Sequence, residues 1–406
     1  MNIVTSGIRL NKTALFINMV LQCAFLSLYY ILSTSLIQQF VGSADESFLS
    51  YGTFHLIIAI TLLLCMFFIK KINKVRSIYR CSIALLATLI ILLLFPNGPV
   101  GLLLVFIASI FFAIGQLLSF THFWSITISE ERGRIAGFIG LIAIPLAYIV
   151  NLLAQFLDLF GTVILAAFFI LGILATKFLK PEESPISKNN KEKEGGYYEK
   201  RTALLYAIPW IIFSVVNSTF DRNISLNVIQ SSPESIYFSI LLLQTIAAGF
   251  GALGGGIISD FFGRKISLSF SLTLYGISTA LGGFVQNTEV TYLVSAVSGL
   301  NWGILWSLYG SVVWGDLADE QNCVKRYSRG LIIFYFPLAL GLLISPQISQ
   351  ISVVWSALIG CSLIFISNIP LFLAPELLSE DFRDKIRLKL HMNVVKKVNK
   401  KLHSQG

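Results

Sequence analysis

Twelve long runs of apolar side chains, separated by short polar breaks, set the limits on what this chain can fold into. Of 406 residues 55% are hydrophobic and only 13% are charged, whereas soluble domains carry about 25% charge. The bilayer is therefore the solvent. Only helices and closed barrels satisfy every backbone polar group in lipid, and runs this long and continuously apolar are helices. About 20 residues cross the hydrocarbon core. On that ruler the spans fall at 13–36, 51–69, 78–95, 100–122, 134–156, 159–179, 202–222, 235–258, 266–284, 290–313, 329–348 and 352–374. Turn chemistry marks the breaks, as in Pro96-Asn97-Gly98-Pro99 and Ser231-Ser232-Pro233. The first run is longer than the apolar region of a signal peptide and many more follow, so it is a first span.

The basic residues orient the chain. With twelve spans, all but Arg222 of the 30 Lys and Arg fall on the side shared by the two termini. By the positive-inside rule that side is the cytoplasm, and the reading is a multi-pass protein of the plasma membrane. The net charge of +9 is this bias and gives no reason to invoke nucleic acid. The five Cys (Cys23, Cys65, Cys81, Cys323, Cys361) form no CxxC or Cys/His cluster, so neither a disulfide framework nor a metal site is implied. No cofactor is expected. The polar, charged and Gly-containing stretch 180–201 has linker composition. It divides the chain into a six-helix bundle at 1–179, a cytoplasmic linker at 180–201, a second six-helix bundle at 202–375 and a basic tail at 376–406. In the tail Phe382, Ile386, Leu390, Val394, Val398 and Leu402 recur every four residues. That pattern suits an amphipathic helix on anionic lipid of the inner leaflet; a solvated tail is the alternative. The chain is read as a monomer.

An internal repeat supports the division. Lys12-Thr13-Ala14-Leu15 opens span 1, and Arg201-Thr202-Ala203-Leu204 opens span 7. Trp124 follows span 4 as Trp314 follows span 10, 190 residues on. The basic loop Lys70–Arg76 precedes Asp260–Lys265 by a similar distance. Both halves start on the same side, as parallel repeats do.

Between spans 8 and 9 lies Gly256-Ile257-Ile258-Ser259-Asp260-Phe261-Phe262-Gly263-Arg264-Lys265, a polar hinge in apolar surroundings. Gly263 suits a tight turn with positive φ. Asp260 can accept from the N-terminus of a neighbouring helix and pair with Arg264 or Lys265. Gly249, Gly251, Gly254, Gly255 and Gly256 leave a small-residue face on span 8. A plain solvated loop is the alternative reading.

Twelve spans, a 6+6 parallel repeat, a central linker and G-x-x-x-D-x-x-G-R-K between spans 8 and 9 together resemble the major facilitator superfamily of transporters over about residues 10–376. Gly256, Asp260, Gly263, Arg264 and Lys265 match its loop motif. Glu131-Arg132-Gly133-Arg134 looks like its loop 4–5, and Pro375-Glu376 is similar to an exit motif of the sugar-porter branch. Arg132, and Arg329 from the Arg-Gly pair of the second half, join the gating set. The first-half copy of the motif departs from the pattern, with Lys70 where the acid should stand and Asn73 where the second Gly should. The resemblance implies an all-α fold of two six-helix bundles and alternating access to a small-molecule substrate. It also implies a path lined largely by spans 1, 4, 7 and 10.

Those spans carry polar stripes at helical spacing. The candidate lining residues are Asn18, Gln22, Tyr29, Gln116, Trp210, Asn217, Asn301, Trp302 and Tyr309, with Gln244 added from span 8. Polar groups in hydrocarbon are costly unless they face a cavity or a partner, and interhelical hydrogen bonding is the alternative for the amides. Asp221 stands as a coupling group, an outer gate or merely a helix end. His55 and His122, near opposite span ends, read as hydrogen-bonded end residues. The mostly amide, hydroxyl and aromatic lining suggests a neutral or weakly charged organic solute. No H-E-x-x-H, no G-x-S-x-G and no paired intramembrane carboxylates are present, so the chain is not read as an enzyme. A sensor built on a carrier fold is the competing reading.

Overall fold

The computed structural model describes residues 13–41, 44–68, 74–94, 98–156, 170, 172, 174, 196–231, 234–284, 287–319 and 321–378. The described chain is helical. The helices are α1 (Thr13–Phe40), α2 (Ala44–Phe68), α3 (Lys74–Leu94), α4 (Gly98–Ile126), α5 (Ser129–Phe156), α6 (Gly196–Ser218) and α7 (Phe220–Ser231). Next come α8 (Glu234–Phe262), α9 (Arg264–Phe284), α10 (Thr288–Ser307), α11 (Cys323–Ile348) and α12 (Val353–Leu373). α10 runs on through a π-helical stretch, Leu308–Val313, into a last turn, Trp314–Asp316. Ten stretches among the described residues are long and apolar enough to cross a membrane. The expected span 159–179 lies outside the described residues except for Ile170, Gly172 and Leu174. The basic tail from Ser379 and most of the 180–201 linker lie outside them too.

Several helices run past their apolar stretch at the basic end. α5 starts at Ser129 and not at 134, α11 at Cys323 and not at 329, and α6 at Gly196, inside the expected linker. α8 likewise continues through Asp260 to Phe262, so the expected polar hinge is a single residue, Gly263. The physical reason is common to them. An apolar ruler ends where charge begins, but a helix need not end there if its charges find partners or water. Lys200 and Arg201 are exposed. Asp260 and Arg264 are fully buried and paired with each other.

Two close packings join the first and second halves of the chain. α5 lies along α8, and α2 along α11. The α5–α8 approach depends on missing side chains: a Cβ at Gly256 would sit 2.1 Å from the Gly133 carbonyl oxygen, and one at Gly137 2.6 Å from the Ala252 carbonyl. The glycines of α8 serve two neighbours. Gly251 and Gly255 face Leu300 and Ile304 of α10, whereas Gly249 and Gly256 face Pro145 and Gly133 of α5; Gly254 meets nothing. Large side chains such as Phe68, Phe270, Leu293, Trp355 and Phe372 are exposed, as lipid-facing residues are.

Candidate functional site

The first feature is a buried ionic cluster at the basic end. Gly263 has φ +109°, a left-handed conformation that glycine adopts without strain. It lets α8 hand over to α9 within one residue and keeps Asp260 and Arg264 one helical turn apart. Gly133 and Gly256 then bring the start of α5 onto the Asp260 carboxylate. The Gly133 N–H donates to Oδ1 at 3.0 Å, and the Arg134 N–H and Nε donate to Oδ2 at 2.8 and 3.1 Å. Arg264 donates through Nη1 to Asp260 Oδ1 and through Nε to Asp316 Oδ2 at 2.9 Å. Asp316, in the last turn after the π stretch, also pairs with Arg132 and accepts from the Ser129 hydroxyl at 2.9 Å. Trp124 Nε1 donates to the Gly315 carbonyl at 2.9 Å beside it. Three guanidiniums and two carboxylates thus join α5 to α8, α9 and the end of α10, with water excluded. Breaking a buried pair by removing one partner costs about 3–5 kcal/mol.

A strap after α12 closes the same end. Glu376 accepts from the Arg264 and Lys265 N–H groups at 2.8 and 3.2 Å, so a carboxylate caps the N-terminus of α9. Lys265 Nζ returns to the Phe372 and Ala374 carbonyls at 2.5 and 3.1 Å, at the C-terminus of α12. The Tyr206 hydroxyl donates to the Pro375 carbonyl at 3.0 Å. Arg329 is exposed and stands apart from these contacts. The second-half Arg-Gly pair therefore has a different environment from Arg132-Gly133.

The second feature is a cavity of about 970 Å³ at the opposite end of the helices. α1, α2 and α5 of the first half line it together with α6 to α11 of the second. Asp221 and Arg222 sit in its wall, just past Thr219, where α6 gives way to α7. Toward the ionic cluster the cavity ends on an aromatic layer. Trp210 stacks on Tyr309 and on Phe334, with ring centroids 4.6 Å apart in both cases, and Trp302 packs against Trp306 at 5.5 Å. The Tyr335 hydroxyl donates to Gln116 Oε1 at 3.0 Å, tying α11 to α4.

Of the ten expected lining residues, Asn217 and Gln244 line this cavity. Trp302 donates through Nε1 to Asn217 Oδ1 at 3.2 Å and so stands directly beneath it. Gln116 is buried in its bond to Tyr335, and Trp210 lies within the aromatic layer. Gln22 and Asn301 are buried with both amide ends lacking partners, as are the hydroxyls of Tyr29 and Tyr309; none of the four lines the cavity. Asn18 is half-buried on α1, away from it. Asp221 lines it. Sequence reasoning missed Tyr30, Asn151, Arg222 and Thr279 as lining residues and took His55 for an end residue, although it too lines the cavity. His55 is hydrogen-bonded, to Tyr30 and to the Tyr51 carbonyl, whereas His122 Nε2 has no partner. Among the described residues no group of His, Cys, Asp or Glu is placed to hold a metal ion.

An all-helical chain with many membrane-length helices, a cavity between its halves and ionic closure at one end defines a polytopic membrane protein. Its fold is shared with transporters of known structure, among them one of the major facilitator superfamily. The human organic anion transporter MFSD10 superposes with a TM-score of 0.66 at 13% identity, covering 88% of this chain and 98% of that one. A bacterial homologue of the iron transporter ferroportin, in its outward-facing state, gives 0.65 at 12% identity over 90% and 99%. The proton:xylose symporter XylE gives 0.64 at 13% over 89% and 96%. At such identities the likeness is one of fold. No protein-family model matches the chain.

Proposed function

We propose that this protein is a secondary-type carrier. It moves a small organic solute by alternating access between two six-helix bundles, twelve helices in all, related by a parallel repeat. One observation carries the reading. The cavity between the halves is open at one end, while a buried ionic cluster and an aromatic layer close the other. A closure made of paired charges is stable when dry and can be replaced by hydration when it opens, which suits a reversible gate. Asp260, Arg264, Arg132, Arg134 and Asp316 form that gate, Gly256 and Gly133 allow its close approach, and Gly263, Lys265 and Glu376 hold the α8–α9 corner and the strap. The transporters with the same fold support the reading. The basic end faces the cytoplasm of a plasma-membrane protein with both termini inside, so this conformation is open to the outside. The working unit is the monomer, with no catalytic activity. Asn217, Gln244 and Trp302 are the expected residues best placed to meet the solute, and Asp221 remains the candidate coupling group.

The test is a pair of distances. Spin labels at Gln39→Cys and Ser225→Cys report the open mouth; labels at Arg76→Cys and Lys325→Cys report the closed end. In a carrier, the Asp260→Asn substitution shortens the first distance and lengthens the second. Two distances that stay fixed, or move together, contradict alternating access and favour a sensor built on the same fold.

A further inference from the structure

The cavity wall carries one guanidinium and one carboxylate among its described residues, Arg222 and Asp221. They are adjacent on α7, and neighbours on a helix point about 100° apart. Arg222 extends over the rings of Phe48 and Tyr51 of α2, each at 5.9 Å. Its Nε is buried and has no hydrogen-bond partner, and it takes part in none of the ion pairs among the described residues. Asp221 faces the other way, toward Tyr275 of α9. The two charges are thus set on different walls of one cavity and do not form an ion pair.

Two more polar groups in the lining are buried and unpartnered. Thr279, one turn beyond Tyr275 on α9, leaves Oγ1 free, and Asn151 of α5 leaves Oδ1 free; these residues are 2% and 4% exposed. His55 does not compete for a ligand in the same way. The Tyr51 carbonyl, 2.7 Å from Nδ1, can only accept, so Nδ1 carries a proton. In a neutral ring Nε2 then accepts from the Tyr30 hydroxyl at 2.8 Å. The cavity thus offers a ligand a charged donor at Arg222, a carboxylate at Asp221, the Thr279 hydroxyl and a neutral acceptor at Asn151.

We infer that the solute is a zwitterion. Its oxyanion, of the carboxylate type, is held by Arg222 in the Phe48–Tyr51 corner, and its ammonium-type group is held by Asp221 with Asn151 or Thr279. This deepens the proposed carrier function and rests on the cavity being its cargo site. The charge balance decides among solute classes. An uncharged polyol leaves both charges desolvated without an ionic partner. A monocarboxylate serves Arg222 but confronts Asp221, and a simple amine does the reverse.

The test is ligand-dependent melting of the purified full chain in detergent. The panel holds the protein amino acids and glycine betaine, the amines and carboxylates made from them by removing one charged group, and uncharged polyols. The expected result is that saturable stabilisation comes from a zwitterion and not from its singly charged relatives or the polyols. Arg222→Gln and Asp221→Asn each weaken the apparent Kd about tenfold or more, while Arg222→Lys retains part of the affinity. If Asp221→Asn does not fold, Thr279→Val tests the same wall and weakens Kd by about fivefold. A panel in which no zwitterion stabilises overturns the inference. So does a polyol or monocarboxylate that binds as tightly, or wild-type affinity in the Arg222→Gln protein. Zwitterion binding without counterflow in proteoliposomes leaves this site standing and counts against the carrier reading alone.

Discussion

Replacing Asp260 with Asn isolates the ionic closure. The carboxylate is fully buried and accepts four hydrogen bonds, from the Gly133 and Arg134 N–H groups, Arg134 Nε and Arg264 Nη1. Each oxygen takes two of them. An asparagine can keep only one of those oxygens, so its NH₂ must face two donors whichever way it turns. The change also leaves Arg132 and Arg264 sharing Asp316 and takes from Arg134 its ion pair with Asp260. Uncompensated buried charge of this kind costs about 3–5 kcal/mol, and the cost falls on the closed arrangement alone. Once that end opens, water solvates the same groups. The equilibrium therefore moves toward the open arrangement by about 10²- to 4 × 10³-fold. On the proposed alternating access, the opposite mouth closes with it. Ser225 is exposed and lines the cavity, so a Ser225→Cys reporter reads the mouth through its rate of labelling by a membrane-impermeant maleimide. The native cysteines give low background, since four are buried and Cys23 is half-buried. Labelling should slow at least about tenfold in the Asp260→Asn background. A rate within twofold of the parent, in a protein that still folds, would refute the gate.

Three further substitutions probe the parts around it. Gly256→Ala places a Cβ 2.1 Å from the Gly133 carbonyl; it should force α5 from α8 at about 1–3 kcal/mol and lower the melting temperature. Glu376→Gln removes the charge capping α9, worth about 0.3–1 kcal/mol, and amide exchange at Arg264 and Lys265 should rise severalfold. Tyr335→Phe leaves the buried Gln116 Oε1 without its donor at about 1–3 kcal/mol; thermal melts should show the loss, and a Gln116→Leu change in the same protein should return part of it.

The helices were legible because lipid demands long apolar runs. Asp260 and Arg264 stood out as charges amid apolar sequence. Their partners did not, because pairing with Arg134 and Asp316 depends on how α5 and α10 lie against α8 and α9. Asp316 in particular follows the π stretch Leu308–Val313, and a π turn shifts the phase of every residue after it. A uniform period of 3.6 groups Tyr309 with Trp302 and Trp306, and in the structure the three do share the aromatic layer around Trp210, outside the cavity lining. Local Arg-Gly similarity paired Arg329 with Arg132, but Arg132 is buried in the ionic cluster whereas Arg329 is exposed. Gln22 and Asn301 looked like lining residues by polarity, yet their helices turn them into packed interior. Arg222 read as a lone outlier in the charge count; its place over Phe48 and Tyr51 needs both halves of the chain.

The most direct test of the carrier reading is counterflow. Proteoliposomes are loaded with the solute that most stabilises the purified protein and diluted into a trace of the same solute carrying a radiolabel. A carrier working by alternating access draws the label transiently above its equilibrium level, and the Asp260→Asn protein shows a much smaller overshoot while still binding the solute. Label that never exceeds equilibrium, in vesicles whose protein binds the solute, would contradict transport.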